Sequence, residues 1–567
     1  AFFSFVVLVH EFMSSILDLT FFHIYNVGCQ QAPERSHMRQ QFVSEPYLLN
    51  LSNPEQKKMM QDAIDFVGKN LGKHYDIIIG GRNIKTSDVI KSNNPSKHNE
   101  IVGTASKGTS QLAEEALQTA HKTFMEYWRF TDPHERARYL YRAARIMRRG
   151  KLELSAWMVY EVGKSWIEAI ADTAEAIDFL EYYGRLMENI SVPYNIPSIP
   201  GEDNQYWHIP LGVGVVIPPW NFPLAILTGM TVAAIVTGNT VVLKPASVTP
   251  IIGAKFMEVM KEAGIPDGVI NFLPGPGSEV GDYLVDHPLT RFISFTGSMD
   301  VGKRIYERAS KVNKGQIWLK RVVAEMGGKD CMVIDDNYSK PDFAAAETVA
   351  AAFGFQGQKR SACSRLIIVG DQYDDIVGRI VEKAKTIKVG DTRDASFGMG
   401  PVSSAQAFST IKGYIEIGKG EGKLLTGGTC DDSTGYFIQP TVFGDVSPTA
   451  RISQEEIFGP VLSISRAKSF DEALDYANGT IYGLTGALLS DSGKNLERAR
   501  REFHVGNLYL NRKCTGALVG SQPFGGFNMS GTDSKAGAFD YLYLFMQGKS
   551  CSERLDSDQF AKYLGIK

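Results

Sequence analysis

The chain has 567 residues, with 60 Lys and Arg against 63 Asp and Glu, for a formal net charge of -3. Its hydrophobic share of 43% and charged share of 22% are those of an ordinary globular protein. The lack of any long basic run argues against a nucleic-acid partner. Six cysteines (Cys29, Cys331, Cys363, Cys430, Cys514, Cys551) form no CxxC and no Cys/His cluster. That pattern excludes a disulfide framework and a zinc site, so no metal is expected, and it suits a reducing compartment. The length suggests about two to four domains.

Residues 2–9, FFSFVVLV, fall far short of the roughly 20 apolar residues that span a bilayer. No basic stretch precedes them and no A-x-A site follows closely, unlike a secretory signal. Glu11 and Asp18 come before Arg35, which speaks against a mitochondrial presequence. Residues 1–40 are expected to be a disordered extension, the alternative being a membrane-surface anchor. From Ser110 to about Leu180 apolar residues recur at helical spacing, as in Leu112, Ala116, Ala120 and Phe124. The Pro-rich stretch Val192–Pro210 reads as a projecting arm or hairpin.

Beyond it the pattern alternates. Gly214–Ile217 reads as a buried strand, Leu224–Val236 as a helix and Thr240–Leu243 as a strand. Ile251–Ala263 then reads as a helix, Val269–Leu273 as a strand and Glu279–Val285 as a helix. Phe292–Phe295 follows as a strand and Val301–Ala309 as a helix. Such a βαβ series builds a parallel sheet covered on both faces. A second series starts near Val322, with helices Phe343–Phe353, Tyr373–Ala384 and Asp471–Ala477. Its strands are Leu366–Val369, Val461–Ile464 and Gly506–Leu510. The expected fold class is α/β, with two Rossmann-like lobes and a ligand cleft between them.

Several motifs fall at strand ends. Gly275-x-Gly277-x-x-x-Gly281 is one residue longer than the usual dinucleotide turn, and a plain structural turn reads equally well. In Thr296-Gly297-Ser298, between a strand and a helix, small residues can expose N–H groups to a pyrophosphate. Lys244 follows a buried strand and can donate to a ribose or a phosphate, or simply be solvated. Asn221 in Pro218-Pro219-Trp220-Asn221-Phe222-Pro223 is fixed by prolines as an amide donor to an oxyanion, or caps the next helix. Glu325 in Ala324-Glu325-Met326-Gly327-Gly328-Lys329 is a candidate general base, with a generic acidic loop residue as the alternative.

PWNFP, TGNTVVLKPAS, FTGS, AEMGGK, GQK, QEEIFGPV and QPFGG occur in the order seen in the aldehyde dehydrogenase superfamily. The resemblance runs from about Tyr75 to Leu555. EVGDYLVDHP, STGYFIQPT, REFHVGNLYLNRKCTGALVG and MSGTDSKAG resemble its 1-pyrroline-5-carboxylate dehydrogenase branch. The resemblance implies an aldehyde-dehydrogenase-like fold and NAD-dependent oxidation of L-glutamate 5-semialdehyde to L-glutamate, a step of proline degradation. It implies Asn221 as oxyanion donor and Glu325 as general base. Lys244 and Ser247 would meet the adenosine ribose, Thr296, Gly297 and Ser298 the pyrophosphate, and Glu456 the nicotinamide ribose. Phe458 would lie beside the nicotinamide, with Trp220 also lining the cofactor. Ser361, Gly516 and Ala517 would anchor the α-carboxylate, and Phe524 would wall the side chain. Many relatives carry Glu where this chain has Ser247, which leaves room for a 2′-phosphate and keeps NADP open.

The family nucleophile follows Gly-Gln-Lys; here Gly357-Gln358-Lys359 is followed by Arg360. A guanidinium stays protonated and cannot form a thiohemiacetal. Cys363 is a candidate substitute, but three residues of helix rise about 4.5 Å. Cys331, Cys430 and Cys514 read as packing residues. Three readings remain open: an enzyme working through Cys363, a non-catalytic member binding NAD or glutamate-like anions, and an altered gene. The expected domains are NAD-binding at 41–190 and 207–321 and catalytic at 322–512. Residues 191–206 and 513–567 are expected to form an oligomerisation arm and C-terminal segment. The resemblance also implies a homodimer or higher homo-oligomer without membrane partners. It suggests a cytoplasmic location, the mitochondrial matrix being the alternative.

Overall fold

The computed structural model describes residues 42–555 apart from 48, 49, 195 and 198, together with 558 and 561. The expected extension at 1–40 lies outside the described residues. Four helices follow the early periodicity: Ser110–Glu126, Pro133–Arg149, Lys151–Val162 and Trp166–Ile190. Three open on side-chain caps, with Thr109, Asp132 and Ser165 accepting from first-turn N–H groups. No helix among the described residues is long and apolar enough to cross a membrane.

The first seven-stranded sheet runs Arg321–Glu325, Thr290–Thr296, Val213–Ile217, Thr240–Leu243, Ile270–Phe272, Ile77–Ile79, Arg82–Ile84. The strands from Arg321–Glu325 to Ile270–Phe272 pair in parallel, and the last two close the edge antiparallel. Alternate residues feed two different cores: Val213, Val215, Val242 and Ile293 on one face, Val216, Val241, Leu243 and Phe292 on the other. Burial of both faces explains the continuous apolar runs. In the second seven-stranded sheet Cys331–Ile334 lies between Arg365–Val369 and Thr485–Leu489. Met332, Ile334, Leu366 and Ile368 face one core, and Cys331, Val333, Ile367 and Val369 the other.

Two expectations change. The strand Arg321–Glu325, taken from sequence as the start of the second series, is the edge of the first sheet, with Val322 opposite Ile293. Nothing in its β-branched pattern distinguishes one parallel sheet from another. The arm is a strand, Glu202–Pro210, so it crosses the expected boundary at 206/207. It pairs antiparallel with Met546–Arg554 of the same chain along nine registered positions. Most of Met546–Arg554 is exposed because the ribbon has no core behind it.

Candidate active site

Both prolines of the Pro218-Pro219 bend, Lys244, Thr296 and Glu325 follow or end parallel strands of the first sheet, so the sheet delivers them to one edge. A cavity of about 180 Å³ is lined there by Asn221, Thr296, Glu325, Arg360, Ser361, Gly516, Ala517 and Phe524 among others. The expected oxyanion, base, nucleophile-position and substrate residues thus share one space. Lys244, Ser247, Gly297, Ser298, Glu456, Phe458 and Trp220 are not in its wall.

Asn221 is buried, and its Nδ2 donates to the carbonyl of Gln358 at 2.9 Å. It does not cap the next helix. The first N–H of Ala225–Val236 is taken by Asp172 Oδ1 at 2.6 Å. Phe355, Gln356 and Gly357 precede position 360 with φ of 49°, 57° and 66°, a left-handed run that only the glycine adopts without strain. Gln356 ties this turn down by donating from Nε2 to the carbonyls of Gly163 and Pro401.

Arg360 is 8% exposed. Its Nη1 donates to Glu325 Oε2 at 3.3 Å and to the Met326 carbonyl at 3.1 Å, and its Cζ lies 5.3 Å from the Phe524 ring centre. The other oxygen of Glu325 accepts from Ser534 Oγ at 2.6 Å. Burial pushes the Glu325 carboxyl above its usual range, opposed chiefly by the Arg360 charge. Lys359 also lines the cavity, where it pairs with Glu168 at 2.6 Å. Cys363 does not reach the cavity. It is buried in the second lobe's core, its thiol donating to the Arg365 carbonyl at 3.2 Å. Cys514 lies in the same core and Cys331 in another, while Cys430 is half-buried.

Lys244 lies outside the cavity wall; it is buried, and among the described residues its amine meets only the Pro245 carbonyl, at 3.4 Å. Burial pushes its pKa down to about 8. A Cβ placed on Gly281 would sit 3.6 Å from its Cε, so the glycine-rich turn passes beside the lysine. Thr296 turns inward, its hydroxyl 3.5 Å from the Met230 sulfur, while Ser298 and Ser247 are exposed. Glu456 Oε1 accepts from the Gly328 N–H at 2.9 Å, and any Cβ at Gly327 would collide with it. Trp220 meets Phe458 edge-on with ring centres 5.6 Å apart.

Ser534, the Met326 carbonyl and the buried Lys164–Asp172 pair were not legible in the sequence. Ser534 meets Glu325 and Met326 meets Arg360 across long stretches of chain, while the Lys164–Asp172 pair is local and nothing in its sequence pattern marks it as buried.

The Aldehyde dehydrogenase family profile matches residues 83–551. The chain belongs to this family. The 1-pyrroline-5-carboxylate dehydrogenase of Geobacillus sp. (strain WCH70) is 59% identical over 516 residues, 91% of this chain and 100% of that protein. The crystal structure of Thermus 1-pyrroline-5-carboxylate dehydrogenase with bound NAD matches with a TM-score of 0.89. It is 50% identical, covering 91% of this chain and 99% of that one. Proline utilization A from Bdellovibrio bacteriovorus matches with a TM-score of 0.89 at 43% identity, covering 91% of this chain and 53% of that one.

Proposed function

We propose that this member of the aldehyde dehydrogenase family carries the binding machinery for NAD-dependent oxidation of L-glutamate 5-semialdehyde to L-glutamate, with its covalent step blocked at Arg360. The residues fit a dinucleotide: among the described residues Lys244 is a buried cation with only a long contact to its own neighbour, and glycines 281 and 327 keep side chains out of the crevice. Lys244 and Ser247 would hold the adenosine ribose, Gly297 and Ser298 the pyrophosphate, and Glu456 the nicotinamide ribose beside Phe458 and Trp220. Bound there, NAD supplies the hydride acceptor. The exposure of Ser247 is compatible with NADP as well.

In the cavity, Ser361, Gly516 and Ala517 would take the substrate's α-carboxylate, with Phe524 against its carbon chain. The close similarity to 1-pyrroline-5-carboxylate dehydrogenases supports that substrate. Asn221 would orient the aldehyde oxygen. The block rests on one observation, the Arg360–Glu325 pair inside this cavity. A protonated guanidinium offers no electron pair to the aldehyde carbon. The pair also occupies the carboxylate that would draw a proton from water. Losing a nucleophile costs on the order of 10⁶ in rate in well-studied hydrolases. The exposed ribbon of Glu202–Pro210 and Met546–Arg554 would join subunits of a homo-oligomer.

Calorimetric titration with NAD, paired with an NADH assay on 1-pyrroline-5-carboxylate, tests this on the unaltered chain. Saturable NAD binding without NADH formation is expected. Sustained NADH formation would overturn the block, and the absence of NAD binding would overturn the binding role.

A further inference from the structure

We infer that the cavity is a receptor for a short α-amino dicarboxylate of the L-glutamate kind, its distal carboxylate gripped by the free edge of Arg360. The inference rests on the reading of the cavity as a substrate site and adds the second carboxylate that Arg360 is placed to hold. Both hydrogen bonds of the Arg360 side chain leave from Nη1. Among the described residues nothing accepts from Nε or Nη2, although the side chain is 8% exposed. Those two nitrogens form the planar fork that matches a carboxylate with two parallel bonds. Glu325 holds the opposite edge, so a ligand carboxylate adds to the guanidinium without displacing it.

The other end of the cavity also receives an anion. Arg512 Nη2 donates to the carbonyls of Thr515 at 2.7 Å and Gly516 at 3.1 Å. In a trans peptide the N–H points opposite its carbonyl, so the Gly516 and Ala517 N–H groups turn away from Arg512. Both residues line the cavity, and neither N–H has an acceptor among the described residues. Of the other acidic side chains in the wall, Glu168 is neutralised by Lys359. Glu175 is held protonated near neutrality, since burial pushes its pKa up to about 8. Two anion receptors in one small cavity call for two carboxylates, and an aldehyde leaves the second receptor unsatisfied.

Calorimetry on the full chain distinguishes the possibilities, using L-glutamate and L-norvaline, which keeps the amino-acid end and lacks the distal carboxylate. L-Glutamate is expected to bind at least about tenfold tighter than L-norvaline, the scale of a charge-assisted carboxylate contact. Arg360→Met should abolish that preference. Arg360→Lys, which keeps the charge and loses the fork, should retain only part of it. NAD titrated into each variant confirms an intact fold. Equal affinity for the two amino acids, or an undiminished preference in Arg360→Met, overturns the inference. NAD binding without glutamate binding overturns it alone; loss of both in the unaltered chain overturns the functional reading beneath it.

Discussion

Glu325 receives a hydroxyl from Ser534 and a guanidinium N–H from Arg360, so both of its oxygens are engaged. Glu325→Gln therefore strands a buried cation. It is expected to destabilise the fold by about 3 kcal/mol in urea unfolding, because breaking a buried pair from one side leaves an uncompensated charge. An unchanged midpoint would mean that Arg360 is satisfied elsewhere. Lys244 makes a second prediction at this scale. Below about pH 8 its amine is already an ammonium. Above that the free site has lost the proton that a ribose or phosphate contact favours, so NAD binding must take it up again. NAD affinity should fall between pH 7 and pH 9 in calorimetry, and Lys244→Gln should bind more weakly with no such fall. A pH-independent affinity in the unaltered chain would remove Lys244 from the cofactor site.

Four elements meet at the Lys164–Asp172 pair, whose side chains are fully buried and 3.0 Å apart. The contact is one of charge with charge and not an aligned hydrogen bond. The Lys164 amine also lies 4.0 Å from the Phe222 ring centre and 4.1 Å from that of Phe355. Asp172 holds the first N–H of the helix Ala225–Val236. One cation thus ties the bend carrying Asn221 to the left-handed turn ahead of Arg360. Lys164→Met should cost about 3–5 kcal/mol of stability, read as a lowered urea midpoint. A cost within experimental error would show that the rings and not the charges hold this junction. The strand–helix alternation was legible in the sequence because both faces of each sheet are buried, which makes runs such as Val241, Val242 and Leu243 uniformly apolar. Which sheet a strand joins was not legible, as Arg321–Glu325 shows. The second lobe's helices Ala405–Glu421 and Gly493–Glu502 and its interior strand Thr485–Leu489 went unassigned.

Across the whole molecule, the expected site residues at strand ends come together because parallel strands deliver their carboxyl ends to one edge. The places of Lys244, Thr296 and Glu325 at strand ends were legible for that reason. Ser534 was not, since it meets Glu325 across 209 residues of sequence separation. The role of Cys363 could not be read from spacing, because its side chain turns into the core through a contact with Arg365. The ribbon formed by Glu202–Pro210 and Met546–Arg554 carries the proposed assembly. Deleting residues 546–567 should lower the mass seen in sedimentation toward that of one chain, and an unchanged mass would place the interface elsewhere. On the proposed reading, a cation stands where the chemistry needs a nucleophile. NADH formation from 1-pyrroline-5-carboxylate, followed by absorbance in the unaltered chain and in Arg360→Cys, decides whether it does. The prediction is turnover in Arg360→Cys at least about 10⁴-fold above that of the unaltered chain; comparable rates in the two proteins would contradict it.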